Sequence, residues 1–199
     1  MKLQNISKIC AAVTCALTLS ANAANIIDAS QMTQGYSSEN VNQVLGLQGN
    51  TQMKAVKTIA VGNGVTKIRF QQQYKGIPVF GYSVAATQTA MGLLTDVQGK
   101  ILDLDNTPFL MKERISATKA MTAALANDRV LGENASKAAL AGVYNQTNEK
   151  FIFMVNGQPK LVHRISYVVP SENGGTPSRP VLFIDARTGE TVYTYDNIQ

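Results

Sequence analysis

Between residues 54 and 104 apolar and polar positions alternate with the two-residue period of β-strands that are buried on one face. Gly62-Asn63-Gly64 and Lys75-Gly76 interrupt this alternation with the residues that short hairpin turns require. The pattern predicts an antiparallel meander with a further turn at 98–100. Its strands are predicted at 54–61, 65–74, 79–89, 93–96 and 101–104.

The spacing becomes helical after residue 115. Ser116 is suited to cap a helix whose apolar positions, spaced three or four residues apart, form one narrow face. These positions are Ala117, Ala120, Met121, Ala124 and Leu125. Strand patterns then return, with a hairpin loop predicted at 145–148. The later strands are predicted at 138–144, 151–155, 161–169, 181–185 and 191–195.

A short helical pattern near Ser38 precedes the first meander, so a helix comes before each predicted sheet. The sequence therefore predicts an α+β fold of two tandem units, each a helix against an antiparallel sheet. Pro108 and the mixed charges at 111–114 indicate a boundary within residues 106–115. A linker there predicts units that depend on each other only loosely.

The first 23 residues have the composition of an export signal. A short basic region precedes an apolar stretch at 9–19, and Ala21-Asn22-Ala23 forms a small-residue cleavage site. The apolar stretch is too short for a membrane anchor. We therefore expect cleavage between Ala23 and Ala24 and an exported protein that has no membrane attachment afterwards.

Removal of the signal changes both the charge and the thiol content. Loss of Lys2 and Lys8 leaves 16 basic residues against 13 acidic ones, a net charge of +3 instead of +5. Those basic residues are scattered, which argues against nucleic-acid binding. Cys10 and Cys15 both lie within the signal, so the processed chain has neither a disulfide nor a thiol nucleophile.

The processed sequence carries no recognisable catalytic or metal-binding constellation. His163 is the only histidine of the chain, and H-E-x-x-H and G-x-S-x-G motifs are absent from the sequence. We interpret His163 as a surface or hydrogen-bonded strand residue, and Asp103 and Asp105 as a solvated strand end. The sequence thus predicts no catalytic residue, no metal site and no cofactor on this chain.

Two stretches resemble known modules. Residues 69–81, R-F-Q-Q-Q-Y-K-G-I-P-V-F-G, resemble the fungalysin/thermolysin propeptide motif, and residues 161–167 with 179–190, ending in D-A-R-T-G-E, resemble a PepSY domain. Gly76, Gly81 and Gly189 lie within these stretches and are predicted to occupy structural turns.

In this order behind an export signal, the two modules resemble the pro-region of thermolysin-family secreted zinc metalloproteases of the vibriolysin and pseudolysin type from Gram-negative bacteria. This resemblance implies a periplasmic or secreted location. The resemblance implies a signal peptide at 1–23, a propeptide-motif domain at 24–108 and a PepSY-like domain at 109–199, both domains cystatin-like. It further implies an intramolecular chaperone and inhibitor whose partner is a thermolysin-type metalloprotease, with zinc expected only in that partner.

The resemblance also implies a role for the last residues. Asn197, Ile198 and Gln199 extend beyond the final predicted strand and are expected to bind in the protease cleft, with Ile198 as the apolar anchor. Two alternatives to a pro-domain remain open from the sequence. The chain is also compatible with a truncated metalloprotease precursor and with a free-standing periplasmic PepSY-type regulator.

Overall fold

A computed structural model of the protein describes residues 23–32, 40–126, 142–171 and 177–197. The elements show an α+β protein dominated by antiparallel strands, which confirms the predicted fold class. In chain order they are β1 (Asn25–Asp28), α1 (Ala29–Met32), α2 (Val41–Val44), β2 (Thr51–Gly62), β3 (Val65–Tyr74), β4 (Ile77–Gln88), β5 (Leu94–Asp103), α3 (Ala117–Ala126), β6 (Tyr144–Val155), β7 (Gln158–Val168), β8 (Pro180–Asp185) and β9 (Thr191–Asp196).

The first five strands form the first sheet, in which β1 pairs with β5, β5 with β4, β4 with β3 and β3 with β2, all antiparallel. The turns Asn63-Gly64 and Lys75-Gly76 have positive φ at both residues, as two-residue hairpins require. Buried apolar side chains of α1, α2 and the helix end at Leu45 pack on one face of this sheet. The helix pattern seen near Ser38 corresponds in part to α2, since residues 33–39 lie outside the described residues.

One predicted turn of the first sheet is wrong. β5 runs without interruption from Leu94 to Asp103, through the residues 98–100 that were expected to reverse the chain. Gly99 has φ 138 and pairs with Val84. A Cβ on Gly99 would lie 2.2 Å from the main-chain oxygen of Ser83. This glycine permits close approach of two strands instead of a turn.

The second sheet consists of β6, β7, β8 and β9 in that order, again antiparallel. α3 packs on β7 and β8 through Ala120 and Ala124, both fully buried, which confirms the predicted alanine face. The loop expected at 145–148 is wrong, because β6 already begins at Tyr144 and Asn148 pairs with Ile165. Of the strand predicted at 138–144, residues 138–141 lie outside the described residues.

β4 joins the two sheets. Its residue Val79 pairs in parallel with Ile152 of β6, while Ile77, Pro78 and residues 83–88 pair with β3 and, in part, with β5. A buried cluster around Val79, Leu102 and Ile152 therefore contains side chains of both sheets. Within the described residues the two units share this core, which argues against the loose coupling predicted from the sequence.

Candidate interaction site

The glycines predicted at turns all have left-handed backbone angles, but they serve different structures. Gly76 (φ 78) closes the β3–β4 hairpin, and Gly189 (φ 80) follows the turn after β8. Gly81 (φ 82) instead lies inside β4, where four residues bulge out opposite Gln72. Gly81 therefore belongs to a β-bulge and not to the predicted turn. The bulge changes the direction of β4 where this strand passes between the two sheets.

Two glutamines of the Q-Q-Q stretch hold this bulge in place. Gln71 Nε2 donates hydrogen bonds to the main-chain oxygens of Val79 and Tyr82, at 2.6 and 2.7 Å. Gln72 is fully buried and binds both main-chain groups of Leu102, donating at 2.7 Å and accepting at 2.9 Å. These side chains satisfy backbone groups that the bulge removes from the strand ladder. Hydrophobic periodicity does not reveal such a role for polar residues.

The turn after β8 is built around Asp185. Its Oδ1 accepts hydrogen bonds from the amides of Arg187 and Thr188, at 2.8 and 3.2 Å, and its Oδ2 lies 2.9 Å from Lys160 Nζ. Desolvation raises the pKa of the Asp185 carboxyl, but the bond from Lys160 and the two amides together hold that pKa below its ordinary value. The aspartate of D-A-R-T-G-E thus fixes the turn.

His163 is buried and fully engaged in hydrogen bonds. Its Nε2 lies 2.9 Å from the main-chain oxygen of Ile115 and 3.4 Å from Glu113 Oε1, and its Nδ1 lies 3.0 Å from Asn148 Oδ1. Asn148 is itself oriented by donating to the main-chain oxygen of Ala117. The hydrogen-bonded interpretation of His163 is the one that the structure supports.

The two remaining candidate groups, Asp103 and Asp105, are both held in hydrogen bonds with loop residues. Asp103 accepts from Asn106, and Asp105 accepts from the amide of Asn50 at 3.1 Å, which ties two loops together. Among the residues that the structure describes, no group of three or more His, Cys, Asp or Glu side chains is placed to hold a metal ion. Within the same ranges no helix is both long enough and apolar enough to cross a bilayer.

The predicted signal-cleavage site and the predicted cleft-binding tail lie at opposite ends of the described chain. Ala23 is exposed and Ala24 is buried directly before β1, with its amide 3.2 Å from the main-chain oxygen of Gly157. At the other end Asn197 is exposed and donates to the main-chain oxygen of Arg179, at 3.0 Å. The predicted anchors Ile198 and Gln199 lie outside the described residues.

A cleft of about 520 Å³ separates the connecting segment, residues 106–115, from the start of β7 and the Asp185 turn. Leu110 and Pro159 contribute apolar surface to it. The cationic lining consists of Lys112, Arg114, Lys160 and Arg187. This concave surface, with charge of mainly one sign, is the candidate interaction site of the described chain.

Comparison with known proteins gives this arrangement a context. Residues 51–101 match the family described as the Fungalysin/Thermolysin Propeptide Motif. The chain is 32% identical over 175 residues to the Hemagglutinin/proteinase of Vibrio cholerae serotype O1, a match that covers 87% of this chain and 27% of that protein. It is 31% identical over 198 residues to the Neutral protease of Vibrio proteolyticus, covering 92% and 30%.

These matches confirm the resemblance inferred from residues 69–81. The chain spans less than a third of the length of either relative, and the module that it matches is a propeptide motif. The prediction that the chain is not the enzymatic part is thereby confirmed. Among solved structures, the Bacillus megaterium YpeB C-terminal domain aligns with a TM-score of 0.36 and 16% identity, over 74% of this chain and 57% of that one. A likeness at that level supports no argument.

Proposed function

We propose that this chain, a propeptide of the thermolysin-family metalloprotease type, helps its cognate protease to fold and inhibits it afterwards. The observation that carries the proposal is the similarity to two Vibrio proteases over 87% and 92% of this chain but only 27% and 30% of their length. The partner is then a thermolysin-type metalloprotease domain, and zinc belongs to that partner.

A folding helper needs a preformed surface on which the partner buries apolar area. The shared core around Val79 and Ile152 holds the two sheets together, which supports such a surface. β2 lies at the edge of the first sheet, with β3 as its only strand partner in the described residues. Val56, Ile59 and Val61 on β2 are each at least half exposed. An apolar edge strand of this kind is a template for another chain.

Inhibition is assigned to the residues that follow β9. The chain is fixed up to this point, because Asp196 accepts hydrogen bonds from Ser178 Oγ and the Arg179 amide, at 2.6 and 3.0 Å. β9 ends at Asp196, and we propose that Asn197, Ile198 and Gln199, which follow it in the sequence, bind in the protease cleft in extended form. Ile198 would fill an apolar pocket there.

The domain assignment belongs to the same proposal. We propose a signal peptide at 1–23, a propeptide-motif domain at 24–108 and a PepSY-like domain at 109–199, both domains cystatin-like. The packing of α1 and α2 on the first sheet and of α3 on the second supports this division. Export to the periplasm or medium, with cleavage between Ala23 and Ala24, completes it.

Refolding tests the proposed function. The cognate protease domain is denatured and refolded with the purified chain, with an equal concentration of serum albumin, or with buffer alone. A yield of active protease that rises only with the chain supports the helper role, and equal yields in all three samples contradict it. If no cognate protease is recovered when the chain is used as bait in its native extract, the free-standing regulator becomes the better explanation.

A further inference from the structure

The connecting segment, residues 106–115, presents two different faces. From Pro108 onward its residues are alternately exposed and partly buried, the two-residue period of an extended chain. Phe109 and Met111 pack into the core shared by the two sheets, and Glu113 binds Lys150 at 2.6 Å. The intervening side chains Leu110, Lys112 and Arg114 are exposed on the cleft side.

The backbone of this segment is available for pairing. Between Pro108 and Glu113 the segment makes no backbone hydrogen bond to any residue that the structure describes. The next backbone bonds run from the amides of Arg114 and Ile115 to the main-chain oxygen of Ala186, both at 2.9 Å. An extended stretch with unpaired amide and carbonyl groups is suited to accept a further strand.

The charges along the cleft are not balanced. Asp185 is the only carboxylate in its lining, and it already binds Lys160 and two amides. Lys112, Arg114 and Arg187 have no ion-pair partner in the described part of the chain, and all three are exposed. Three unpaired cations around one concave surface select for an anionic partner.

We propose that this cleft binds an extended acidic segment of the partner protease, which adds as a strand along residues 109–113. Its carboxylates pair with Lys112, Arg114 and Arg187, and an apolar side chain on the same face covers Leu110, which is 62% exposed. The two-residue period requires these groups at alternate positions of the segment. The apolar position comes first if the added strand runs parallel to residues 109–113 and last if it runs antiparallel. The identity of the partner rests on the proposed function, whereas the chemistry of the cleft does not.

A matched pair of triple variants of the full chain tests this site. Lys112→Gln, Arg114→Gln and Arg187→Gln are combined in one protein. The control combines Lys75→Gln, Lys100→Gln and Lys119→Gln, which remove the same charge from exposed positions in the β3–β4 turn, on β5 and on α3. Calorimetry with an inactive form of the cognate protease measures Kd at low and high salt. We expect the cleft variant to bind at least about tenfold more weakly and with less salt dependence, and the control to change by less than about twofold.

Equal weakening of both triple variants would overturn the proposal, because general charge attraction would then explain binding. An unchanged Kd for the cleft variant would overturn it as well. A wild-type chain that neither binds nor refolds the protease would instead defeat the proposed function. The cleft is tested separately by titrating ¹⁵N-labelled chain with two capped peptides, Leu-Thr-Glu-Thr-Asp-Thr for parallel addition and Thr-Asp-Thr-Glu-Thr-Leu for antiparallel addition. Amide shifts centred on residues 109–114 and 187 support the site. Shifts spread over the surface, no shifts, or identical shifts with heparin contradict it.

Discussion

His163 Nε2 lies 2.9 Å from the main-chain oxygen of Ile115, and this contact fastens the connecting segment to the middle of the second sheet. The same segment also packs Phe109 against Tyr74 of the first sheet, with ring centroids 5.6 Å apart. The segment that was expected to act as a loose linker therefore bonds to one sheet and packs on the other.

Substitution of His163 by alanine is therefore expected to lower the free energy of unfolding by about 3 kcal/mol. The substitution opens a buried cavity, and it removes the hydrogen-bond partner of Asn148 Oδ1 and of the Ile115 main-chain oxygen. Urea denaturation followed by circular dichroism measures the change. Lys119→Ala, on the exposed side of α3, is the control and should stay within about 0.5 kcal/mol of wild type. Equal midpoints for the two variants would show that the His163 contacts contribute little.

Gly99→Ala is expected to destabilise the protein far more than Gly76→Ala, although both glycines have positive φ. At Gly76 the new methyl group meets nothing within 4 Å, so the cost is backbone strain of about 1 kcal/mol. At Gly99 it would lie 2.2 Å from the Ser83 oxygen, so the two strands must separate. Urea midpoints of the two variants give the comparison. A Gly99→Ala protein as stable as Gly76→Ala would mean that β4 and β5 adjust without loss.

Stability is expected to fall at acid pH through the Asp185 turn. The folded-state pKa of Asp185 lies below its ordinary value of 3.8, because the bond from Lys160 and the two amides outweigh desolvation. A depressed pKa stabilises the folded state above the ordinary value, and this contribution is lost as pH falls through the folded one. The urea midpoint should hold between pH 5 and pH 7 and decline below about pH 4.

Asp185→Asn should lower stability at neutral pH and flatten this acid decline. The decline should not disappear, because Lys150 chiefly keeps the pKa of Glu113 below its ordinary value as well. The pKa values of Asp28 and Asp105 lie below their ordinary values too. Urea midpoints across the pH series, for wild type and variant, separate the contribution of Asp185 from that of the other three carboxyls. A variant with the same acid slope as the wild type would place the pH dependence elsewhere.

Sequence periodicity predicted most of the strands, and it failed where a polar or glycine residue serves tertiary structure. Val65–Tyr74 is found as predicted, since its alternation and its flanking turns are local signals. Gly99 was interpreted as a turn, because a sequence does not distinguish a glycine needed for chain reversal from one needed for close strand approach. Asn145 and Asn148 resemble loop residues, but β6 includes both of them.

The sequence revealed the candidate interaction site only in part. The mixed charges at 111–114 marked the connecting segment, but they did not show that Glu113 binds inward to Lys150 while Lys112 and Arg114 stay exposed. That division follows from the two-residue period of an extended segment that packs on one side only. Arg187 joins the site from a turn that is distant in sequence, so its proximity is a consequence of the fold.

Deletion of Asn197, Ile198 and Gln199 is expected to weaken inhibition of the cognate protease by about tenfold or more while leaving the refolding yield nearly unchanged. Templating uses the sheets, whose last strand ends at Asp196, whereas inhibition is assigned to the residues beyond it. The inhibition constant and the refolding yield are measured on the same truncated protein, with Gln199→Ala as the control that keeps the Ile198 anchor. An unchanged inhibition constant would mean that another surface of the chain blocks the protease cleft. A parallel loss of refolding yield would mean that the tail and the sheets act as one binding surface.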